Sequence, residues 1–278
     1  MVVLGLVVVS VVPSAAMPTA AHRFAAPAHV PSADVHGDNG ADRYVGTGGL
    51  ILPASVGPSA RTRVATCPDC HWRMSSPCAV VTAGTPFPGQ VTCLSVTRGC
   101  PGGAELLRVW FQSGGGPWEE LGLVCLPPGG PVTVTYVAAA VQTRFVKDLP
   151  PLRPAHEPVR GVLTQLPVVF ASGQPAGPLE ADYSVLGQAV HLIARPTWAW
   201  DYGDGGLQTT SRPGGPYPDL SVSHVYRVSG PRLVRVATAW TATFTVDDLG
   251  PFPILEPVSQ EAASAVLIGE GRAVLAVR

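Results

Sequence analysis

At 278 residues and 46% hydrophobic content, the chain has enough apolar material for two modest domains with packed cores. The formal net charge is −1, and a near-neutral chain with no basic patch offers no counterion-release drive toward nucleic acid, so that class of partner is set aside. With 31 Gly and 30 Pro the composition is skewed as in a high-GC genome, and no single Arg, Ala, Gly or Pro carries weight by itself.

The chain begins with an apolar stretch from Val2 to Val12, then Pro13 and the small residues Ser14, Ala15 and Ala16. This pattern predicts a signal peptide over 1–21, cleaved after Ala16 or Ala21, although no Lys or Arg precedes Arg23. The apolar run is too short to span a bilayer, which needs about 20 residues, so no stable transmembrane segment is expected after cleavage. Residues 22–66 are rich in Ala, Pro, Gly and Ser without periodicity, and read as a mostly disordered linker, with Leu50-Ile51-Leu52 as one candidate edge strand.

All six cysteines, Cys67, Cys70, Cys78, Cys93, Cys100 and Cys125, fall in one stretch, which predicts a small disulfide-stapled β or loop-rich domain over 67–130. Their pairing stays open, because six cysteines allow fifteen connectivities. Gln90–Val96 and Leu106–Phe111 are its candidate strands, separated by turns such as Ser113-Gly114-Gly115-Gly116-Pro117.

Over 131–158 the period changes. Val134, Val137, Ala138, Val141, Phe145 and Leu149 line one helical face, Thr133 is placed as N-cap, and Pro150-Pro151 ends the helix and begins a stiff spacer. From residue 159 to 278 strands recur with turn signals between them, at Val168–Ser172, Tyr183–Leu186, Val190–Arg195, Thr197–Asp201, Ser221–Arg227, Leu233–Val246 and Ala273–Val277. Even spacing of this kind predicts an all-β sandwich. Trp240, on a strand that alternates Thr with apolar residues, is expected to pack opposite Trp198 or Trp200.

The run Trp198-Ala199-Trp200-Asp201-Tyr202-Gly203-Asp204-Gly205, followed by His224, Tyr226 and Gly230, is the most specific pattern in the chain. It closely resembles the signature of the PKD (polycystic-kidney-disease) Ig-like domain, a W-x-F/Y-G-D-G turn answered by an H-x-Y strand before a glycine. The back half is also similar to a family of uncharacterised exported proteins of high-GC Gram-positive bacteria, in which a Leu-Pro strand precedes the turn and a Trp-containing strand follows, as Gln165-Leu166-Pro167 and Trp240 do here. The resemblance implies a sandwich and a binding role toward extracellular protein or cell-wall glycan, without catalysis. Two features depart from it: an inserted loop, Arg212 to Pro218, and a long tail beyond Phe244.

Asp201 and Asp204 are suited to accept backbone N–H bonds across the turn; holding Ca²⁺ together with Asp247 and Asp248 is the alternative. His224 reads as a packed, hydrogen-bonded histidine. Trp198, Trp200, Tyr202 and Tyr217 are the candidates to stack on a sugar or peptide wherever they are exposed. Cys67-Pro68-Asp69-Cys70-His71 spells the c-type haem attachment pattern, and an exported electron-transfer haem protein is the sharpest rival reading, with His71 proximal and Met74, Met17 or another His as distal ligand. Hydrolase, zincin and phosphate-loop signatures are absent, and Glu119-Glu120 and Asp247-Asp248 are adjacent acids with no opposing general acid. An enzyme of another type is the remaining alternative. The expectation is a mainly β, exported or cell-envelope protein that binds without catalysing and carries no cofactor.

Overall fold

A computed structural model describes residues 42–77, 79–81, 88–90, 99–254 and 256–271. The leader, Met17, Cys78, Cys93, nearly all of the Gln90–Val96 strand and the Ala273–Val277 strand lie outside the described residues.

The first unit is built from β1 (Asp42–Thr47), β2 (Leu50–Ile51), α1 (Pro58–Ala65), β3 (His71–Ser75), β4 (Ala79–Val81), β5 (Pro88–Gln90), β6 (Glu105–Gln112), β7 (Glu119–Leu126) and β8 (Val132–Thr133). Strands β1-β3-β6-β7 form an antiparallel sheet, while β2 pairs with β8 and β4 with β5. Its core gathers Leu50, Leu52, Val56 and Val64 against Trp72, Met74, Leu107, Phe111 and Val124. Gly46 is required there, since a Cβ would run into the Trp72 ring. The linker reading of 22–66 therefore fails from residue 42 onward. That segment has no periodicity because it meets its core through two short strands and a two-turn helix, each contributing only a few buried residues. Disulfides join Cys67 to Cys70 and Cys100 to Cys125.

Helix α2 (Val134–Asp148) follows, capped by the Thr133 side chain, which accepts from Tyr136 N at 3.2 Å. It buries Val137, Ala138, Val141 and Phe145, the face its periodicity predicts.

The second unit contains β9 (Ala155–Glu157), β10 (Pro167–Ala171), β11 (Leu179–Val185), β12 (Gln188–Asp201), β13 (Leu207–Thr210), β14 (Ser223–Val225), β15 (Gly230–Val246), β16 (Leu249–Pro253) and β17 (Val258–Ile268). Strands β12 and β15 pair in continuous antiparallel register from Val190↔Val246 to Asp201↔Arg235. They form the spine of a six-stranded sheet, with β11 and β13 along the far side of β12 and β16 and β17 along the far side of β15. Val190–Arg195 and Thr197–Asp201 are thus one strand, not two. Pro196 is tolerated inside it because β11 pairs only as far as Ala194 and β13 only from Trp198, and the missing N–H faces that gap.

One face of this sheet is buried along its whole length under two different covers. At one end the three-stranded sheet β14-β10-β9 lies over it, and Val168, Phe170 and Val222 pack on Trp198, Trp200, Val234 and Val236 as in a β-sandwich. At the other end α2 lies over it, with Phe145 edge-on to Trp240 at 6.3 Å and Val141 among Leu192, Phe244 and Val246. Trp240 accordingly does not face Trp198 or Trp200. It is paired with Pro196, far enough along the strand to fall under the helix. Ile51, Ala65 and Val132 of the first unit join this helix–sheet core, so α2 is a cover shared by both units as well as a connection.

Gln174 closes the seam between the two covers. Its Oε1 accepts from Trp198 Nε1 and Thr238 Oγ1, both at 2.9 Å, and its Nε2 donates to Pro150 O at 2.9 Å and Gln260 Oε1 at 2.7 Å. A polar side chain that is 6% exposed is sustained there because each of its atoms has a partner.

Candidate functional site

The Asp/Gly motif lies at the end of the β12–β13 hairpin. Asp201 Oδ1 accepts from Gly203 N at 2.9 Å and Asp204 Oδ1 from Gly206 N at 3.0 Å, two side-chain turns in succession. Gly203 has φ +76, and a Cβ there would lie 2.7 Å from Leu233 O, so the turn is pressed against β15. Asp204 Oδ2 pairs with His224 Nε2 at 2.8 Å, which ties the turn to β14. The His224 ring stacks on Tyr202 at 4.3 Å and meets Tyr226 edge-on at 4.7 Å. Tyr226 Oη donates to Tyr202 O at 3.1 Å, and Tyr202 Oη donates to Gln208, whose Nε2 donates to Ser221 O.

The motif therefore locks three strands together. Burial pushes Tyr202 up to about 12 and raises Tyr226 as well, as expected of phenols in a core. Partial burial pushes the Asp204 carboxyl up as well, but its bonds from His224 and Gly206 N together outweigh this and hold it below its ordinary range. The hydrogen bonds of Asp204, His224, Tyr226 and Tyr202 run between members of the lock, an arrangement that fixes the fold of the turn.

The candidate stacking residues separate sharply. Trp198, Trp200 and Tyr202 are at most 2% exposed and offer no ring to a ligand, which corrects their assignment as binding residues; alternation on β12 turns all three toward the sandwich interior. Tyr217 is 73% exposed, on the inserted loop. That loop is held on the small sheet by Ser172 N to Pro213 O at 2.8 Å and Tyr217 N to Glu157 Oε2 at 2.9 Å. Gly230, at φ +122, opens β15.

The four aspartates do not form one site. Asp201 pairs across the sheet with Arg235, whereas Asp247 follows Val246 at the other end of β15, which at about 3.3 Å per residue is on the order of 35 Å away. Asp247 Oδ1 accepts from Ala189 N and Asp248 is paired with Arg61. No group of three His, Cys, Asp or Glu suited to hold a metal occurs among the described residues. Glu119 and Glu120 are likewise engaged, with Arg63 and Arg108.

The Cys67–Cys70 disulfide leaves neither sulfur free for the thioether bonds of haem attachment, and Met74 is 1% exposed within the first core. Cys67 follows the C-terminal end of α1, where the helix dipole disfavours a thiolate, so this bond reads as a clasp.

What the motif leaves open is the opposite face of the long sheet. Around Ala199 and Ala237 lies a shallow depression of about 570 Å³, rimmed by Asp201, Leu207, Arg235, Glu261 and Ala263. Leu207 is 78% exposed on this face, and Arg235 approaches Asp201 at 3.7 Å. A second depression of about 290 Å³, between Ile193, Arg195, Thr243 and Pro253, continues the same face. Sequence reasoning passed over it because its signal is only the outward half of each alternation, filled by Ala, Thr and Arg.

No protein-family model matches this chain, and no curated protein matches it. Among the described residues no helix is long and apolar enough to cross a membrane.

Proposed function

We propose that this is an exported, non-catalytic binding protein of the cell envelope or extracellular space, whose PKD-like module presents the open face of its long sheet to an extracellular protein. The observation that carries this reading is the division of labour across β12: Trp200, Tyr202, Asp204 and His224 are engaged in the sandwich core and the lock, while the outward residues frame an apolar depression with Asp201, Arg235 and Glu261 at its rim. Small apolar residues ringed by charges suit a protein surface better than a sugar, which favours an exposed aromatic platform. Cysteines paired as disulfides support export to an oxidising compartment. A cell-wall glycan is the second reading, favoured by exposed Tyr217 on its anchored loop.

The test is retention of the purified chain on immobilised envelope proteins and, separately, on insoluble cell-wall glycan. Ala237→Trp, which fills the depression, and Arg235→Glu are expected to reduce protein binding at least tenfold while melting as the parent does. Retention on glycan that is lost only in Tyr217→Ala would replace the protein with the glycan. Hydrolysis of ester, peptide or glycoside substrates that a single side-chain substitution abolishes would overturn both.

A further inference from the structure

The outermost strand of the long sheet is β17, and its free edge differs from every other described edge in the protein. Along β16 the edge is broken by Pro251 and Pro253; β11 carries Glu180 and Asp182; β1 and β7 contain register shifts in their pairing; β2 and β8 are two residues long, β4, β5, β9 and β14 three, and β13 four. These are the usual devices that keep a sheet edge from pairing with another chain. β17 has none of them: Val258–Ile268 runs eleven residues in unbroken register with β15, without proline and with Glu261 as its single charge.

The direction of its hydrogen-bonding groups follows from its neighbours. Gly269 N donates to Val162 O and Gly269 O accepts from Thr164 N, both on the side away from β15. Backbone groups alternate sides along a strand, so Ser259, Glu261, Ala263, Ala265 and Leu267 direct their N–H and C=O outward from the sheet. Among the described residues nothing pairs with them.

We propose that this edge recruits a second copy of the same chain, two β17 strands pairing antiparallel about a twofold axis so that the long sheets fuse into one. Val162–Thr164 closes the edge at Gly269, so the overlap centred on Ala263 ends at Ser259 and Leu267, and in it every outward residue meets an outward residue: Ala263 its own copy, Glu261 Ala265, and Ser259 Leu267. The only charge on the strand then faces alanine, not its own copy. Ala263 and Ala265 place no bulk on the open face at the junction, and a chain of net charge −1 does not repel its copy. Edge pairing buries little area, so the dimer is expected to be weak, with a dissociation constant on the order of micromolar. The proposal does not depend on what the open face binds.

Sedimentation velocity on the full chain across a concentration series tests it, with a doubling of mass expected as concentration rises. Ala263→Lys, which sets two like charges opposite each other at the axis, should hold the protein monomeric; mixing it with Ala263→Glu should restore the dimer. Because a charged variant also tests folding, Ala263→Cys provides a second measurement: paired Cα atoms about 5.5 Å apart suit a disulfide, so oxidation should link it into dimers, while Ala199→Cys on the open face should stay monomeric. A monomer throughout the series, or a dimer that Ala263→Lys does not weaken, overturns the proposal. So does failure of Ala263→Cys to cross-link, or a monomer that instead takes up an added extended peptide along β17.

Discussion

Arg61 grips both carboxylate oxygens of Asp248, 187 residues away in sequence, at 3.0 and 2.7 Å, while its Nε donates to Leu52 O at 3.1 Å. The Arg61 side chain is 8% exposed, so α1 of the first unit is tied to the turn between β15 and β16 through a nearly buried cationic residue. A bidentate pair of this kind fixes orientation as well as proximity.

The bond from Arg61 is the main cause that holds the Asp248 carboxyl below its usual range. A depressed folded value means that the pair's contribution is present above the unfolded carboxylate value of ~3.9 and is lost as pH falls through the folded value. Asp248→Asn is expected to flatten this part of the acid-unfolding profile. Arg61→Ala should lower stability more than Asp248→Asn does, because it also leaves Leu52 O without its donor. Thermal melts between neutral and acid pH decide both; equal acid sensitivity in parent and Asp248→Asn would refute the coupling.

Gly203 and Gly205 both have positive φ, but only Gly203 is crowded. Gly203→Ala is expected to lower stability by about 3 kcal/mol, since strain adds to a contact with immobile backbone, and Gly205→Ala by about 1 kcal/mol. Urea titrations of the two variants should differ accordingly, and equal midpoints would remove the contact with Leu233 from the explanation.

Gln174→Ala leaves Trp198 Nε1 and Thr238 Oγ1 without the acceptor they share, at a cost of about 2–4 kcal/mol. Gln174→Glu brings a carboxylate beside Pro150 O and Gln260 Oε1, two acceptors, so this variant should be weakest at neutral pH and recover as the carboxyl is protonated in acid. Chemical denaturation at two pH values separates the outcomes, and a Gln174→Glu variant whose deficit does not shrink in acid would be inconsistent with this placement.

Tyr202 is raised to about 12 by burial, above the ~10 of an unfolded tyrosine. The folded state therefore holds its phenol proton more tightly, and stability should decline as pH rises from ~10 through about 12. Tyrosinate absorbance in the folded protein should show this ring ionising only with unfolding, and Tyr202→Phe should lose that component of the alkaline profile.

The parts legible in the sequence are those decided within a few residues. Thr133 as N-cap and the buried face of α2 follow from helical period, the Asp201 and Asp204 turns from the local bonding habit of aspartate before glycine, and the pairing of Trp198 with Trp200 on one face from strand alternation. The same rule placed their rings on the correct strand but not on the correct side of availability, because whether an alternating face is core or binding surface depends on what covers it.

That cover was decided only by the tertiary structure. Trp240 and Trp198 lie on neighbouring strands of one sheet, yet one meets Phe145 of a helix and the other Phe170's side of a sandwich, a division set by register between segments far apart in the chain. The strands Asp42–Thr47 and Val258–Ile268 escaped notice for a related reason: the first is short and interrupted by Gly46, and the second is rich in Ala, Ser and Glu, residues with little hydrophobic contrast between faces. Short-range chemistry fixes turns, caps and periodicity through contacts the residue makes with its own neighbours. Burial, the seam at Gln174 and the free edge of β17 come from partners that proximity in sequence does not supply.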